Sequence, residues 1–195
     1  HYAEGTGHLF ARSSWDRDAM WLAFVAGPYN ESHAHQEQGG FTLFARDWLT
    51  VTENIWTHSG IQQGTETHNV LRFERGAPNG QVVRQREPST SRMTVTPGAE
   101  GALVVDADLS AAYGDNSPVQ RWTRKLDFTG TRLRVEDDYR LAQDTKAVFQ
   151  LNLPVEPKID GQTATAGGLR VRVIAPTGAL LSKLEWRSID SGEYR

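Results

Sequence analysis

The sequence predicts an all-β protein, a large antiparallel two-sheet β-sandwich of supersandwich type with about a dozen strands. Three observations carry that expectation. Eighteen Gly and eight Pro among 195 residues cut the apolar stretches into short runs. Several of those runs alternate apolar with polar residues, the period of a strand buried on one face. None sustains an apolar repeat near 3.6 residues over a helical length.

In chain order, the first strand candidates are HLFARSS (8–14), AMWLAFVAG (19–27), GFTLFAR (40–46), WLTVT (48–52) and HNVLRFE (68–74). The stretch from Trp15 to Phe24 is too continuous, and too rich in β-formers, to read as an amphipathic helix. Next comes GAPNGQVVRQREPSTS (76–91), polar and proline-containing, which reads as an exposed loop within one domain. Beyond it lie SRMTVT (91–96), ALVVDADLS (102–110), VQRWTRKLDF (119–128) and TRLRVEDDYRL (131–141). In VQRWTRKLDF, alternation sets Trp122, Arg124, Leu126 and Phe128 on one face and Arg121, Thr123, Lys125 and Asp127 on the other. The break at Thr129-Gly130 between two alternating runs predicts a β-hairpin. AVFQLNL (147–153), LRVRVIA (169–175) and ALLSKLEWR (179–187) complete the set. No internal repeat is visible, so residues 1–195 read as one domain, within the size range of single all-β folds.

Composition narrows the function classes. With 38% hydrophobic and 23% charged residues the chain is a globule and not a disordered segment. A net charge of −3 gives no global attraction to polyanions, so nucleic acid is not an expected partner. No apolar run approaches the roughly 18 residues of a membrane span, and the first residues lack the apolar core of a signal peptide. Cysteine is absent, which removes disulfides and thiolate metal sites. The basic residues Arg121, Arg124, Lys125, Arg132, Arg134 and Arg140 crowd the expected hairpin. They read either as a basic stripe for an acidic glycan or as strand faces paired with Asp127, Glu136, Asp137 and Asp138.

The chemistry-bearing stretch is SHAHQEQGGFTLF (32–44). In an extended segment His33 and His35 point the same way, roughly 6.5–7 Å apart, and Glu37 would join them. Two imidazoles on one face with a third ligand from elsewhere can build a zinc site, and His68, at the mouth of another strand, is the candidate third ligand. The bland alternative is a pair of surface or hydrogen-bonded histidines.

The run RSSWDRDAMWLAFVAGPYNESHAHQEQGGFTLFARDWLTVTENIW, followed by THNVLRF, resembles the heparinase II/III-like domain of polysaccharide lyases. The resemblance rests on Arg12-Ser13-Ser14-Trp15, Ala26-Gly27, His33-Ala34-His35, Phe41 and His68-Asn69, and extends through ADLSAAYGDNSPVQRWTRKLDFTGTRLRVEDDY. It implies a β-sandwich that follows an N-terminal helical α/α toroid, with an acidic polysaccharide lying between the two. By that resemblance His33 is the catalytic cleft residue for β-elimination of a uronic-acid polymer, and His35 and His68 are ligands of a structural zinc. Glu37, Trp56 and Asn69 are then the expected substrate contacts. The family's third metal ligand is an aspartate, whereas Thr52 stands at the matching position here; Glu53 or His58 are the substitutes at hand. No toroid is encoded in these residues, so the chain reads as the sandwich part of a larger lyase-like protein, inactive alone, and the family implies a periplasmic or secreted location. Two other readings compete. One is a non-catalytic carbohydrate-binding or structural sandwich, since a fold by itself says nothing of activity. The other is a cupin-type metal enzyme, which shares the histidine pair but not the spacing of Glu37.

Overall fold

The computed structural model describes residues 1–30, 34–52, 64–76 and 80–185. The chain is nearly all β, 45% strand and 5% helix, with no helix of seven or more residues among those described. Strands β1 (Tyr2–Ala3), β2 (His8–Arg12), β3 (Trp21–Val25), β4 (Pro28–Tyr29), β5 (Phe41–Ala45) and β6 (Asp47–Trp48) come first. All but β4 form an antiparallel sheet in the order β1-β2-β3-β5-β6. Next come β7 (Leu71–Arg75), β8 (Gln81–Val82) and β9 (Ser89–Thr90); β8 pairs with β7 and β9 pairs with β4. A four-stranded antiparallel meander follows, made of β10 (Arg92–Pro97), β11 (Leu103–Asp108), β12 (Val119–Phe128) and β13 (Leu133–Leu141). Strand β14 (Thr145–Phe149) returns to the free side of β7, and β15 (Lys158–Asp160), β16 (Thr163–Ala166) and β17 (Leu169–Arg172) form a small sheet of their own.

The period-2 pattern explains the layering. Inward residues Leu9, Leu22, Phe24, Phe41 and Leu43 of the first sheet join Val105, Ala107, Trp122, Leu126 and Phe128 of the meander in one buried cluster. Phe73 from β7 sits in it edge-on to Tyr113 at 5.3 Å and to Trp122 at 5.5 Å. Each such side chain, fully buried, contributes about 1.5–3 kcal/mol. This is the two-layer arrangement expected from the sequence.

Arg124 shares the core face of β12 with Trp122, Leu126 and Phe128, as the alternation requires, and is fully buried. Its charge is met directly across the ladder by Asp137: Nε and Nη2 donate to the two carboxylate oxygens, each at 2.8 Å. Trp122 Nε1 donates to the same carboxylate at 2.7 Å. A buried ion needs such complete satisfaction, because its desolvation is otherwise uncompensated. On the solvent side Arg121 pairs with Asp138 at 2.6 Å and Arg134 with Glu136 at 3.1 Å, which favours paired strand faces over an open basic stripe for these residues.

Several element boundaries differ from expectation. The segment 34–40 carries no strand; β5 starts only at Phe41. Gly39 adopts φ +83°, a left-handed turn that breaks alternation just ahead of the strand. Of WLTVT, only Trp48 is in a strand, because Thr50 turns its hydroxyl to accept from the Leu43 N–H at 2.9 Å and so replaces a ladder bond. The 76–91 stretch is no simple exposed loop: it contributes β8 and β9 and inserts a buried Gln85. Across 179–185 no strand forms, and the remainder of ALLSKLEWR lies outside the described residues.

Candidate functional site

The segment 34–40 is held by side chains where a neighbouring strand would otherwise hold it. The Gln38 N–H donates to Gln85 Oε1 at 2.9 Å, and Gln85 Nε2 donates back to the Gln38 carbonyl at 2.9 Å. The Gln85 N–H donates to Gln36 Oε1 at 3.0 Å, and Gln38 Oε1 accepts from the Gly27 N–H at 2.8 Å. Arg124 Nη1 donates to the Gly39 carbonyl at 2.6 Å. The sequence signal for this clasp is the amide-rich run Gln36-Glu37-Gln38 before a glycine pair.

His68 enters from the other side. A short 3-10 turn, Thr65–Thr67, precedes it, and the Gln150 amide donates to the His68 carbonyl at 3.1 Å as well as to that of Glu66. Asn69 is fully buried and spends its amide internally: Nδ2 donates to the carbonyls of Phe41 and Val51, both at 2.8 Å, and Oδ1 accepts from the Asn152 N–H at 2.6 Å. These three bonds give Asn69, expected as a substrate contact, a structural role. It is a tie between β5, the Val51 segment and the chain after β14.

These two supports bring the predicted histidines together. His35 Nδ1 lies 3.2 Å from His68 Nε2, with ring centroids 5.1 Å apart. The Thr52 hydroxyl closes on His68 Nδ1, and the Glu37 carboxylate stands 3.8 Å from the same nitrogen. Burial, with the neighbouring His35 adding to it, lowers the His68 pKa to about 3, so the ring is neutral over the physiological range. Two acceptors facing Nδ1 favour the tautomer that carries its proton there, leaving the Nε2 lone pair aimed at His35. Burial raises the Glu37 carboxyl above its ordinary value, opposed by His35 and His8.

Sequence reasoning therefore assembles His35, His68, Glu37 and Thr52 in one place. His33 and Trp56, together with the substitutes Glu53 and His58, lie outside the described residues. The role of Thr52 in the geometry is to orient His68, a part usually played by the partner of a ligating histidine's second nitrogen.

Two nitrogens bound at about 2.0–2.1 Å to a tetrahedral ion stand roughly 3.3 Å apart, close to the 3.2 Å between His35 and His68. Among the described residues, however, no group of three or more His, Cys, Asp or Glu is placed to hold a metal ion. The described donors thus fit half of a tetrahedral set.

No protein-family model matches the chain, and no curated protein matches it. Among solved structures, a heparinase III with methylated lysines superposes with a TM-score of 0.65 at 15% identity, over 84% of this chain. The chain spans 26% of that protein's length. At this identity the likeness speaks for architecture, and the architecture of the chain is a heparinase-like β-sandwich.

Proposed function

We propose that the chain is the β-sandwich part of a polysaccharide lyase acting on a uronic-acid polymer, with His33 at the cleft and His35 and His68 as the protein's share of a structural zinc site. The supporting observation is the superposition on a heparinase III, which agrees with motifs read independently from the sequence. In β-elimination a base removes the proton α to the uronate carboxylate. A double bond forms as the glycosidic C–O bond breaks, and an acid protonates the departing oxygen. A histidine with a near-neutral pKa suits the proton transfers, and that is the role proposed for His33. His68, buried and neutral, suits metal ligation or packing, and not proton transfer.

Zinc bound here would fix the relative position of the two segments that carry His35 and His68, and His35 and His68 would each give it one nitrogen. Thr52 and Glu37 hold His68 so that its free nitrogen faces His35. Acidic polysaccharide is the proposed substrate class, and a helical toroid the proposed completing domain, with a periplasmic or extracellular location where such polymers occur.

The test uses the full-length protein that carries this sandwich, incubated with heparan sulfate, chondroitin sulfate and alginate. The expected result is the ultraviolet chromophore of an unsaturated uronate with one of them, abolished by His33→Ala, with zinc in the purified protein lost on His35→Ala. No product from any of the polymers would overturn the lyase reading and leave a non-catalytic module in its place.

A further inference from the structure

The solvent face of the first sheet is aromatic. Its outward positions on β2, β3, β5 and β6 bring Arg12, Trp21, Phe44 and Trp48 into one cross-strand row, through the registers Arg12↔Trp21, Trp21↔Phe44 and Phe44↔Trp48. The Arg12 guanidinium lies over the indoles of Trp15, at 4.5 Å, and Trp21, at 4.1 Å. Phe44 meets Trp48 edge-on at 5.3 Å. Phe10 extends the surface one step along β2.

These rings are not core. Trp15 is 89% exposed, Trp48 52%, Phe10 49% and Trp21 39%. Large aromatics left in water at neighbouring positions on one sheet face mark an interaction surface. The row also lies at the opposite end of β5 from the histidine segment, about three residues or roughly 10 Å from Phe41, so the site described above does not account for it.

The surface is preorganised. The turn that presents Trp15 is closed by Ser13 Oγ accepting from the Met20 N–H at 2.9 Å and by Ser14 Oγ accepting from the Asp16 N–H at 3.1 Å. Arg12 anchors it further by donating to the carbonyls of Ser14 and Asp16. A tryptophan held out on a fixed turn loses little freedom on binding.

Charge and spacing decide the occupant. The charged residues of the segments that build the row are Arg12, Arg17 and Arg46 against Asp16, Asp18 and Asp47, which cancel. Arg46 is closed by Asp18, and the Arg12 cation lies over two indoles and donates to the carbonyls of Ser14 and Asp16. The row itself therefore offers an acidic polymer no net positive charge, and the exposed Arg17 beside it lies between Asp16 and Asp18 in the chain. An uncharged pyranose finds flat rings for its C–H face, and the carboxylate of Asp16 and the hydroxyl of Ser14, on the turn that presents Trp15, for its own hydroxyls. Across two strand pairings Trp21 and Trp48 stand about 10 Å apart, of the order of a β-1,4-linked disaccharide repeat.

We propose that the Trp15–Trp21–Trp48 face is a binding platform for an uncharged β-linked glycan, separate from the histidine site. The test is calorimetric titration and intrinsic tryptophan fluorescence with cellohexaose, xylohexaose and mannohexaose, and with an oligouronate hexamer as the charged comparison. Saturable binding of an uncharged hexasaccharide is expected, insensitive to salt and weakened about tenfold by either Trp15→Ala or Trp48→Ala, with melting temperature and far-ultraviolet circular dichroism unchanged. Absence of binding by all three uncharged sugars overturns the proposal, as does binding that survives both substitutions. Preference for the oligouronate overturns it too, and a dimer that dissociates on Trp15→Ala would assign the face to a second copy of the chain.

Discussion

Arg124 ties the meander to the histidine segment: its Nη1 donates to the Gly39 carbonyl at 2.6 Å while Nε and Nη2 close on Asp137. Removing the cation alone leaves Asp137 charged and the Gly39 carbonyl unpaired. Arg124→Met is expected to cost about 3–5 kcal/mol. The double variant Arg124→Met with Asp137→Leu removes both charges and should cost less than the sum of the singles by more than about 1 kcal/mol. Urea denaturation of the four proteins measures that coupling, and additive losses would show that the pair does not act as a unit.

Gly39 is required for two reasons that act together. Its φ of +83° disfavours any L side chain, and an added Cβ would stand 2.6 Å from both Leu109 Cδ1 and the Trp122 ring. Leu109 can shift, but Trp122 is fixed by its bond to Asp137. Gly39→Ala should therefore lower stability by about 2–4 kcal/mol, read by thermal melting, and should displace the His35 ring resonances.

Asn69→Ala removes the amide that bonds the carbonyls of Phe41 and Val51 and the Asn152 N–H. The expected loss is about 3 kcal/mol in chemical denaturation. Affinity for any glycan, measured below the unfolding transition, should stay within error of the parent, because Asn69 is buried and its amide bonds within the fold.

How much of this was legible in the sequence follows from where side chains decide the backbone. Alternation in β12 located Arg124 on the core face because an antiparallel strand buried on one side has a strict period of two. The hairpin after Phe128 was visible for the same reason, and it closes with Phe128 opposite Leu133. The path of segment 34–40 was not legible, because it is set by Gln85 and Arg124, partners 47 and 85 residues away in sequence. Strands β8 and β9, two residues each, carry no period to read. His68 was a candidate partner of His35 from its place at a strand mouth, and the family resemblance supported the pairing, since no spacing rule joins positions so far apart. Trp15 fell between two strand candidates, and it stands on a turn in water.

Acid should destabilise the fold through His68. Its folded pKa, about 3, lies below the unfolded value near 6.5, so the neutral ring contributes full stability above about pH 6.5. As pH falls from there toward 3 the unfolded chain takes up a proton that the folded one refuses, at about 1.4 kcal/mol per pH unit. Glu37, raised by burial, works in the opposite sense as acid protonates it. The difference between the parent and His68→Gln, in denaturation across that window, isolates the histidine contribution. A parallel pH dependence in both proteins would count against the buried neutral ring.

The amide of Gln85 pairs with both backbone groups of Gln38 as a strand residue would. A borrowed rung of this kind cannot open on one side only: when residues 83–87 leave, the stretch behind His35 loses its rung in the same event. The two segments should therefore exchange their amide protons at one common rate, as a single opening unit. The ring of His35 then keeps its place only as long as a glutamine on another segment stays seated.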